Sequence, residues 1–191
     1  MARRRGLQHG CFAIMLNEPG TKLLGTREAW NRMRRKDREV ADLGAVERII
    51  GDCKVFRLAM IDGARPYVVP MNFGYDLRDG VLELYGHSAL EGRKIDVLRR
   101  NPEVCFEMDC GHRLVEAEAA CGYGFAYSSV IGEGTVAFIE EPEEKLRALL
   151  RIMEHQTGRS DFFIPPKALG GVLAFKIAAT SFTAKQRLVP V

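Results

Sequence analysis

The chain has 191 residues, of which 47% are hydrophobic, 28% charged and 8% aromatic, a composition typical of a single globular domain. No window reaches the ~18 consecutive apolar residues that a membrane helix needs, and the apolar run near the N-terminus is too short for a secretory signal. The sequence therefore predicts a cytoplasmic protein that does not cross a membrane.

The net charge of +3 is unevenly distributed along the chain. Residues 1–38 carry ten Lys or Arg and three Asp or Glu, which gives +7, whereas the remaining 18 basic and 22 acidic residues give −4. A basic tail can bind nucleic acid, but the chain restarts at Met33 with MRRKDREV, which favours an upstream extension. We expect residues 1–32 to be a disordered extension, residues 33–191 to form one domain, and nucleic acid not to be a partner.

The cysteines predict neither a disulfide framework nor a metal site. There is no CxxC pair, and the odd number in a chain of this size indicates reduced thiols. Cys110, His112 and Cys121 lack the ligand number and spacing of a zinc site, so we expect no metal. The five cysteines are Cys11, Cys53, Cys105, Cys110 and Cys121.

The first half of the chain predicts a helix followed by an antiparallel meander. The segment from Asp42 to Ile50 has apolar residues at helical spacing and stops at Gly51, as a helix with a glycine C-cap does. Strand-like runs joined by Asp-Gly turns indicate hairpins; they cover residues 53–61, 65–76 and 81–87.

The second half predicts two helices and the remaining strands. The segment from Pro142 to Gly158 has Pro at its first turn, a continuous apolar stripe and Gly past its end, which are the features of a regular helix. A short helix is expected over 92–100, strands over 103–109 and 127–141, a loop over 111–126, and one or two closing strands over 172–185. Six or seven strands with three short helices predict a mainly β fold compatible with a barrel.

Two short motifs have structural explanations. GEGTVA, residues 132–137, matches a dinucleotide-binding pattern, but the residues after it continue a strand instead of starting a helix, so we expect a bulge or a sharply curved strand. His155 lies in the last turn of the long helix, where we expect it to cap the helix dipole as a cation.

The stretch HSALEGRK brings together groups that attract an anion. A strand that ends at His87 and a helix that starts near Arg93 would leave unpaired amide N–H groups at their junction. Ser88 adds a hydroxyl donor, and Lys94 and Arg93 each add a positive charge. The small Ala89 allows a ligand to approach the backbone closely. The alternative is an ordinary strand-to-helix turn whose cations face water.

The stretch PYVVPMNFGYD contains a second candidate site. Pro70 cannot donate to a β ladder, which places it at an edge, a bulge or a point where the backbone turns. Met71, Asn72 and Phe73 follow it and would present backbone groups and an amide to a planar ring. A simple bulge in an edge strand remains the alternative.

The order of these segments resembles a known family. MRRKDREV, PYVVPMNFGYD, LYGHSALEGRKIDVLRRNPEVCFEMD and YSSVIGEGTVAFIEEPEEKLRALLRIM follow one another as in the pyridoxamine 5′-phosphate oxidase-related, split-barrel FMN-binding proteins. Within that family the similarity is to the branch of 5-nitroimidazole resistance proteins. The resemblance extends from Met33 to Lys185 and favours the anion-site interpretation of HSALEGRK.

The resemblance implies a six-stranded antiparallel split β-barrel that forms a homodimer and binds FMN between its subunits. It assigns His87 a further role as a catalytic proton donor. The isoalloxazine ring would be lined by Val69, Pro70, Met71, Asn72 and Phe73; the phosphate end would be held by His87, Ser88, Ala89 and Lys94; and Tyr127, Ser128 and Ser129 would approach the cofactor, in part from the second copy.

The implied function is an FMN-dependent oxidoreductase. NAD(P)H or another donor would supply electrons, and a nitroaromatic or quinone-like compound would accept them. A non-catalytic module that binds FMN, haem or another planar ligand for storage or sensing is the alternative. Vitamin B6 oxidation is not expected, because the tryptophan-containing substrate segment is absent before AKQRLVPV and Trp30 is the only tryptophan.

Overall fold

The computed structural model describes residues 34–189, which adopt a mainly β architecture. The strands are β1 (Glu39–Val40), β2 (Phe56–Asp62), β3 (Arg65–Met71), β4 (Gly74–Arg78), β5 (Val81–Ser88), β6 (Glu103–Val115), β7 (Gly124–Ile139) and β8 (Leu173–Arg187). The helices are α1 (Leu43–Asp52), α2 (Arg93–Arg100), α3 (Pro142–Thr157) and α4 (Pro166–Gly170), with short 3₁₀ turns at Lys36–Arg38 and Ala120–Gly122. The predicted extension, residues 1–32, lies outside the described residues.

The strands form one antiparallel sheet in the order β3-β2-β6-β7-β8-β5-β4, with β1 paired to β8. Within residues 34–189 the two end strands, β3 and β4, are not paired with each other, although they are consecutive in the chain and joined only by Asn72 and Phe73. This arrangement confirms the predicted mainly β split barrel. The strands number eight instead of six because β1 is an added two-residue strand and the predicted strand over 65–76 divides into β3 and β4.

The turns and caps follow from local sequence. Asp79 and Gly80, between β4 and β5, have φ angles of 52° and 80°, the positive values that a tight hairpin turn needs. Asp42 caps α1 by accepting a hydrogen bond from the Ala45 N–H at 2.8 Å. The long helix α3 ends at Gly158, whose φ of 75° is the left-handed conformation of a glycine C-cap.

One prediction for the second half of the chain is wrong. Half of the expected loop over 111–126 is strand, because β6 continues to Val115 and β7 begins at Gly124, with a register shift between Cys110 and Arg113. The closing segment predicted as one or two strands is a single strand, β8, which agrees with the prediction, whereas α4 was not predicted. The bulge predicted at GEGTVA is confirmed by the register shift between Glu133 and Gly134.

The core lies on the inner face of the sheet. Its largest fully buried apolar side chains include Phe56, Phe73, Phe106 and Phe175. Only glycine fits at position 132, because a Cβ there would lie 2.3 Å from the Phe106 ring. A second, smaller cluster packs α3 on the sheet through Ala148 and Ile152. Tyr85 and Ala174, which alternate with the core residues Leu84 and Phe175, belong to this second cluster, so α3 covers part of the opposite face of the sheet.

The described residues add three observations on cysteines, metals and membranes. Cys53, Cys105, Cys110 and Cys121 are free thiols, and Cys11 lies outside the described residues. No cluster of three His, Cys, Asp or Glu suited to a metal ion occurs within residues 34–189. In the same part of the chain, no helix has the length and apolarity needed to cross a membrane.

Candidate cofactor-binding site

The HSALEGRK stretch forms the expected junction between a strand and a helix. β5 ends at Ser88 and α2 begins at Arg93. Gly92 lies between them with a φ of 133°, which a residue with a side chain rarely adopts, and its carbonyl accepts hydrogen bonds from Ile95 and Asp96. The first amide N–H groups of α2 are therefore directed out of the helix end, where they favour a negative charge.

Lys94 is the residue that fits an anionic group at this junction. Its side chain is partly buried, and burial lowers the pKa of the ammonium group. Its Nζ lies 3.5 Å from the Met71 sulfur, a weak acceptor, and no carboxylate is paired with Lys94 among the described residues. A partly buried cation without a counter-ion is unfavourable alone and matches the phosphate end of a nucleotide cofactor.

The contact between Lys94 and Met71 also joins the two candidate stretches. Met71 ends β3, the edge strand formed by PYVVPM, whereas Lys94 lies in the first turn of α2. Pro70 is therefore at a sheet edge, one of the three placements that the sequence leaves open. Val69 faces the core, and Pro70 faces outward and is exposed. The structure thus brings one end of β3 to the proposed anion site.

Arg93 has a different role from the one expected. Its Nε donates to Asp62 Oδ2 at 2.9 Å, and its guanidinium lies 4.2 Å from the centre of the Tyr67 ring. Arg100 donates to the other Asp62 oxygen at 2.7 Å. Arg93 therefore connects α2 to the β2–β3 hairpin, whereas Lys94 makes no ion pair within the described residues.

His87 lies at the solvent-accessible end of β5, near Lys94. Partial burial of the ring and the positive charge of Lys94 lower the pKa of His87, which favours the neutral imidazole. Ser88 is partly exposed and Ala89 is exposed beside it. These residues share the opening above Lys94.

Asn72 and Phe73 are held by the protein itself. The Asn72 amide donates to the Lys54 carbonyl at 3.1 Å and to Gln156 Oε1 at 3.0 Å. The Phe73 side chain is fully buried, and its carbonyl accepts from His155 Nδ1 at 2.7 Å and Gln156 Nε2 at 3.0 Å. Any contact of this segment with a ring would therefore come from its remaining backbone groups, so the assignment stays a prediction.

The residues Tyr127, Ser128 and Ser129 are distant from the junction within one chain. They pair with positions 185–187 of β8, whereas His87 pairs with Ala174. These positions lie eleven to thirteen residues from Ala174 along β8, a path of roughly 36–43 Å in an extended strand. Ser128 is buried and accepts a hydrogen bond from Gln186 at 2.9 Å. A single chain does not bring all the predicted residues together.

His155 is not the cationic helix cap that the sequence predicts. Its ring lies 4.5 Å from the Phe73 ring and 5.1 Å from the Tyr75 ring, and burial lowers its pKa, with a smaller effect from Lys54 in the same direction. The contacts of His155 and Gln156 with Phe73 join residues more than 80 positions apart, so no local pattern could have revealed them.

The lowered pKa values of His87 and His155 make the stability of the folded chain depend on pH. Because the folded chain lowers the pKa values of His87 and His155 below 6.5, the unfolded chain binds protons first as the pH falls. The stabilisation is fully present above about pH 6.5 and is lost at lower pH, so the free energy of unfolding should decrease between pH 7.5 and 5.5 in urea titrations. The double variant His87→Asn and His155→Asn should show a smaller decrease, and an unchanged decrease would contradict the prediction.

The fold and the junction place the chain in the split-barrel class, and comparisons identify the family. The family model described as pyridoxamine 5′-phosphate oxidase matches residues 42–186. No curated protein sequence matches the chain at a significant level. The chain therefore belongs to the pyridoxamine 5′-phosphate oxidase family.

Solved structures agree with this assignment. A candidate 5-nitroimidazole antibiotic resistance protein from Bacteroides thetaiotaomicron is 38% identical, with a TM-score of 0.68 over 78% of this chain and 86% of that one. A flavocytochrome of Azotobacter vinelandii is 18% identical, with a TM-score of 0.68 over 83% of this chain and 73% of that one. An FAD- and haem-binding protein of Mycobacterium smegmatis has the same identity and TM-score over 81% and 76%. The last two support the fold alone.

Proposed function

We propose that the chain binds FMN and acts as an oxidoreductase on nitroaromatic or quinone-like acceptors. The observation that carries the proposal is Lys94, a partly buried cation at the amide-rich start of α2, whose ammonium group contacts the Met71 sulfur and pairs with no carboxylate within residues 34–189. The similarity to a protein described as a candidate 5-nitroimidazole resistance protein favours a nitro compound as the acceptor.

The residues of the chain would bind and orient the cofactor. Lys94, the first amides of α2 and the Ser88 hydroxyl would hold the phosphate, because each donates a hydrogen bond and the ammonium adds charge. The edge of β3 from Val69 to Met71 would run beside the ring system. When bound, FMN supplies the electron-transfer chemistry, which the protein side chains cannot supply.

His87 would serve as a proton donor or acceptor beside the reacting substrate. Its pKa is lowered by burial and by Lys94, which favours the neutral ring, and this form can donate from one nitrogen and accept at the other. The proximity of Lys94 adds to the effect of burial, and both disfavour the imidazolium.

The complete site is proposed to need two copies of the chain. Tyr127, Ser128 and Ser129 lie far along β8 from His87 in one copy, so they would reach the cofactor from the second copy. Sedimentation analysis should give a homodimer, and a monomer with bound FMN would remove the proposed role of these three residues.

The proposal is tested by an FMN titration followed by acceptor assays. The purified chain should bind about one FMN per copy, seen as a perturbed visible flavin spectrum. The flavin should then be reduced anaerobically by NAD(P)H or dithionite, and reoxidised by a 5-nitroimidazole faster than free reduced FMN is. If the chain does not bind FMN, the proposal is wrong. If it binds FMN but the 5-nitroimidazole does not reoxidise the reduced flavin faster than free reduced FMN, a non-catalytic role in storage or sensing is favoured.

A further inference from the structure

We propose that Gln156, supported by His155, is a positioning residue that holds the Asn72–Phe73 link in the conformation needed for the adjoining β3 edge and Lys94 to bind the cofactor. The inference rests on the proposed function. It concerns two residues that are not among the predicted cofactor-binding residues. Neither residue belongs to a stretch that the sequence marks as a binding site.

Gln156 uses both ends of its amide on this link and the chain beside it. Nε2 donates to the Phe73 carbonyl at 3.0 Å and to the Lys54 carbonyl at 3.1 Å. Oε1 accepts from Asn72 Nδ2 at 3.0 Å, and Asn72 also donates to the Lys54 carbonyl. One side chain therefore joins the end of α3, the β3–β4 link and the segment that leads into β2.

His155 completes the attachment from the same helical turn. Its Nδ1 lies 2.7 Å from the Phe73 carbonyl, so this nitrogen carries the proton and donates. Its Nε2 has no proton in this tautomer, so it lies 3.3 Å from the Gly51 carbonyl at the end of α1 without donating to it. Lys54 Nζ donates to the Gly51 and His155 carbonyls at 2.9 and 2.8 Å. The last turn of α3 is thus fixed to the link and to α1.

The link matters for the cofactor because of what precedes it. Met71 is the last residue of β3, Asn72 follows directly, and the Met71 sulfur touches Lys94. β3 is an edge strand with a ladder partner on one side only, so its end is held mainly by β2 and by the link. Release of Asn72 and Phe73 would let the end of β3 shift against Lys94, and a misplacement of about 1 Å can reduce the rate of an active site by about 100-fold.

A merely stabilising role makes a different prediction. Asn72 is exposed and Gln156 only partly buried, so hydrogen bonds between them contribute little to global stability. We therefore expect FMN affinity and the flavin environment to respond to Gln156 far more than the melting temperature does.

The test compares Gln156→Leu with Thr157→Val, its neighbour in the same turn. Gln156→Leu should raise the Kd for FMN about tenfold and shift the visible absorption bands and midpoint potential of the bound flavin. Thr157→Val removes hydrogen bonds with the Met153 carbonyl and the Arg159 amide but does not touch the link, so it should bind FMN as the wild type does.

A Gln156→Glu variant provides the second readout. At pH 7 its carboxylate can accept from Asn72 but cannot donate to the Phe73 and Lys54 carbonyls, so the Kd should rise as for Gln156→Leu. Near pH 4.5 about half of the carboxyl groups carry a proton and can donate, so the affinity relative to wild type should partly return. If Gln156→Leu does not fold, the Gln156→Glu variant alone tests whether Gln156 positions the link for cofactor binding.

The outcomes separate the two proposals. If the wild type does not bind FMN, the proposed function is wrong and the positioning role fails with it. If the wild type binds FMN and both Gln156 variants bind it as tightly as Thr157→Val does, the proposed function stands and the positioning role is overturned.

Discussion

Replacing Lys94 with methionine is expected to raise the Kd for FMN by about 30- to 150-fold, which corresponds to about 2–3 kcal/mol for a charge-assisted hydrogen bond to a phosphate. Methionine keeps the length and apolar character of the side chain and removes the charge. Isothermal titration of FMN into the variant measures the loss, and adding Ser88→Ala should increase it.

The same substitution should not destabilise the protein without ligand. Burial lowers the pKa of Lys94, which means that the folded chain disfavours its charged form, so removal of the charge is expected to raise the apo melting temperature slightly. Arg100→Met is the matched control, because it removes one positive charge from the other end of α2, where Arg100 pairs with Asp62. If the Lys94→Met variant binds one FMN per chain with the wild-type affinity, Lys94 does not hold the phosphate of the cofactor.

Gly74→Ala is expected to lower the free energy of unfolding by about 3 kcal/mol or more. A Cβ at Gly74 would lie 2.5 Å from the carbonyl carbon of Arg151 and the nitrogen of Ile152, which are backbone atoms of α3 and cannot rotate away. The helix must move off β4, which would also break the ion pair between Arg151 and Asp76. Thermal unfolding followed by circular dichroism should show a melting temperature lower by about 6–12 °C.

Gly44→Ala is the control for Gly74→Ala. A Cβ at Gly44 would lie 3.5 Å from Asp42 Oδ1, an ordinary contact, and alanine favours the helical conformation of α1. We expect its melting temperature to stay within about 2 °C of the wild type or to rise. Equal melting temperatures for the two variants would mean that α3 does not pack on Gly74 as described. Gly74→Ala should also weaken FMN binding, because α3 carries Gln156.

The sequence predicts elements wherever one local signal decides the backbone. The Asp79-Gly80 turn needs positive φ angles and obtains them from the residues that tolerate them, and α3 has Pro142 at its start and Gly158 at its end. The GEGTVA pattern is correctly assigned to a strand because β-branched and aromatic residues follow its glycines.

The sequence fails where long-range pairing replaces local pattern. The ends of β6 and β7 carry an exposed apolar pair, Leu114 opposite Phe125, and many small residues, so neither alternation nor a turn marks them. Their extension depends on the ladder between the two strands, which no local window contains. For the same reason, nothing in the sequence of residues 65–76 indicates that the predicted strand is interrupted at Asn72. After this interruption the chain continues as β4 at the other end of the sheet order.

The candidate site divides in the same way. The junction between β5 and α2 and the cation Lys94 follow from neighbouring residues, and the resemblance supplies the ligand class. The different roles of Arg93 and Lys94 depend on Asp62, about 30 residues earlier, which pairs with Arg93. The contacts of Gln156 with the link become visible only when the fold is known.

The prolines of β3 have a consequence for assembly. β3 is an edge strand, and Pro66 and Pro70 lie within the stretch that pairs with β2. Since proline has no N–H to give to a ladder, both residues are suited to the side that faces away from β2, together with Val68. A foreign strand that tried to extend the sheet would find an amide donor at only one of these three positions. The chain can therefore leave this edge uncovered for a ligand and still resist edge-to-edge aggregation.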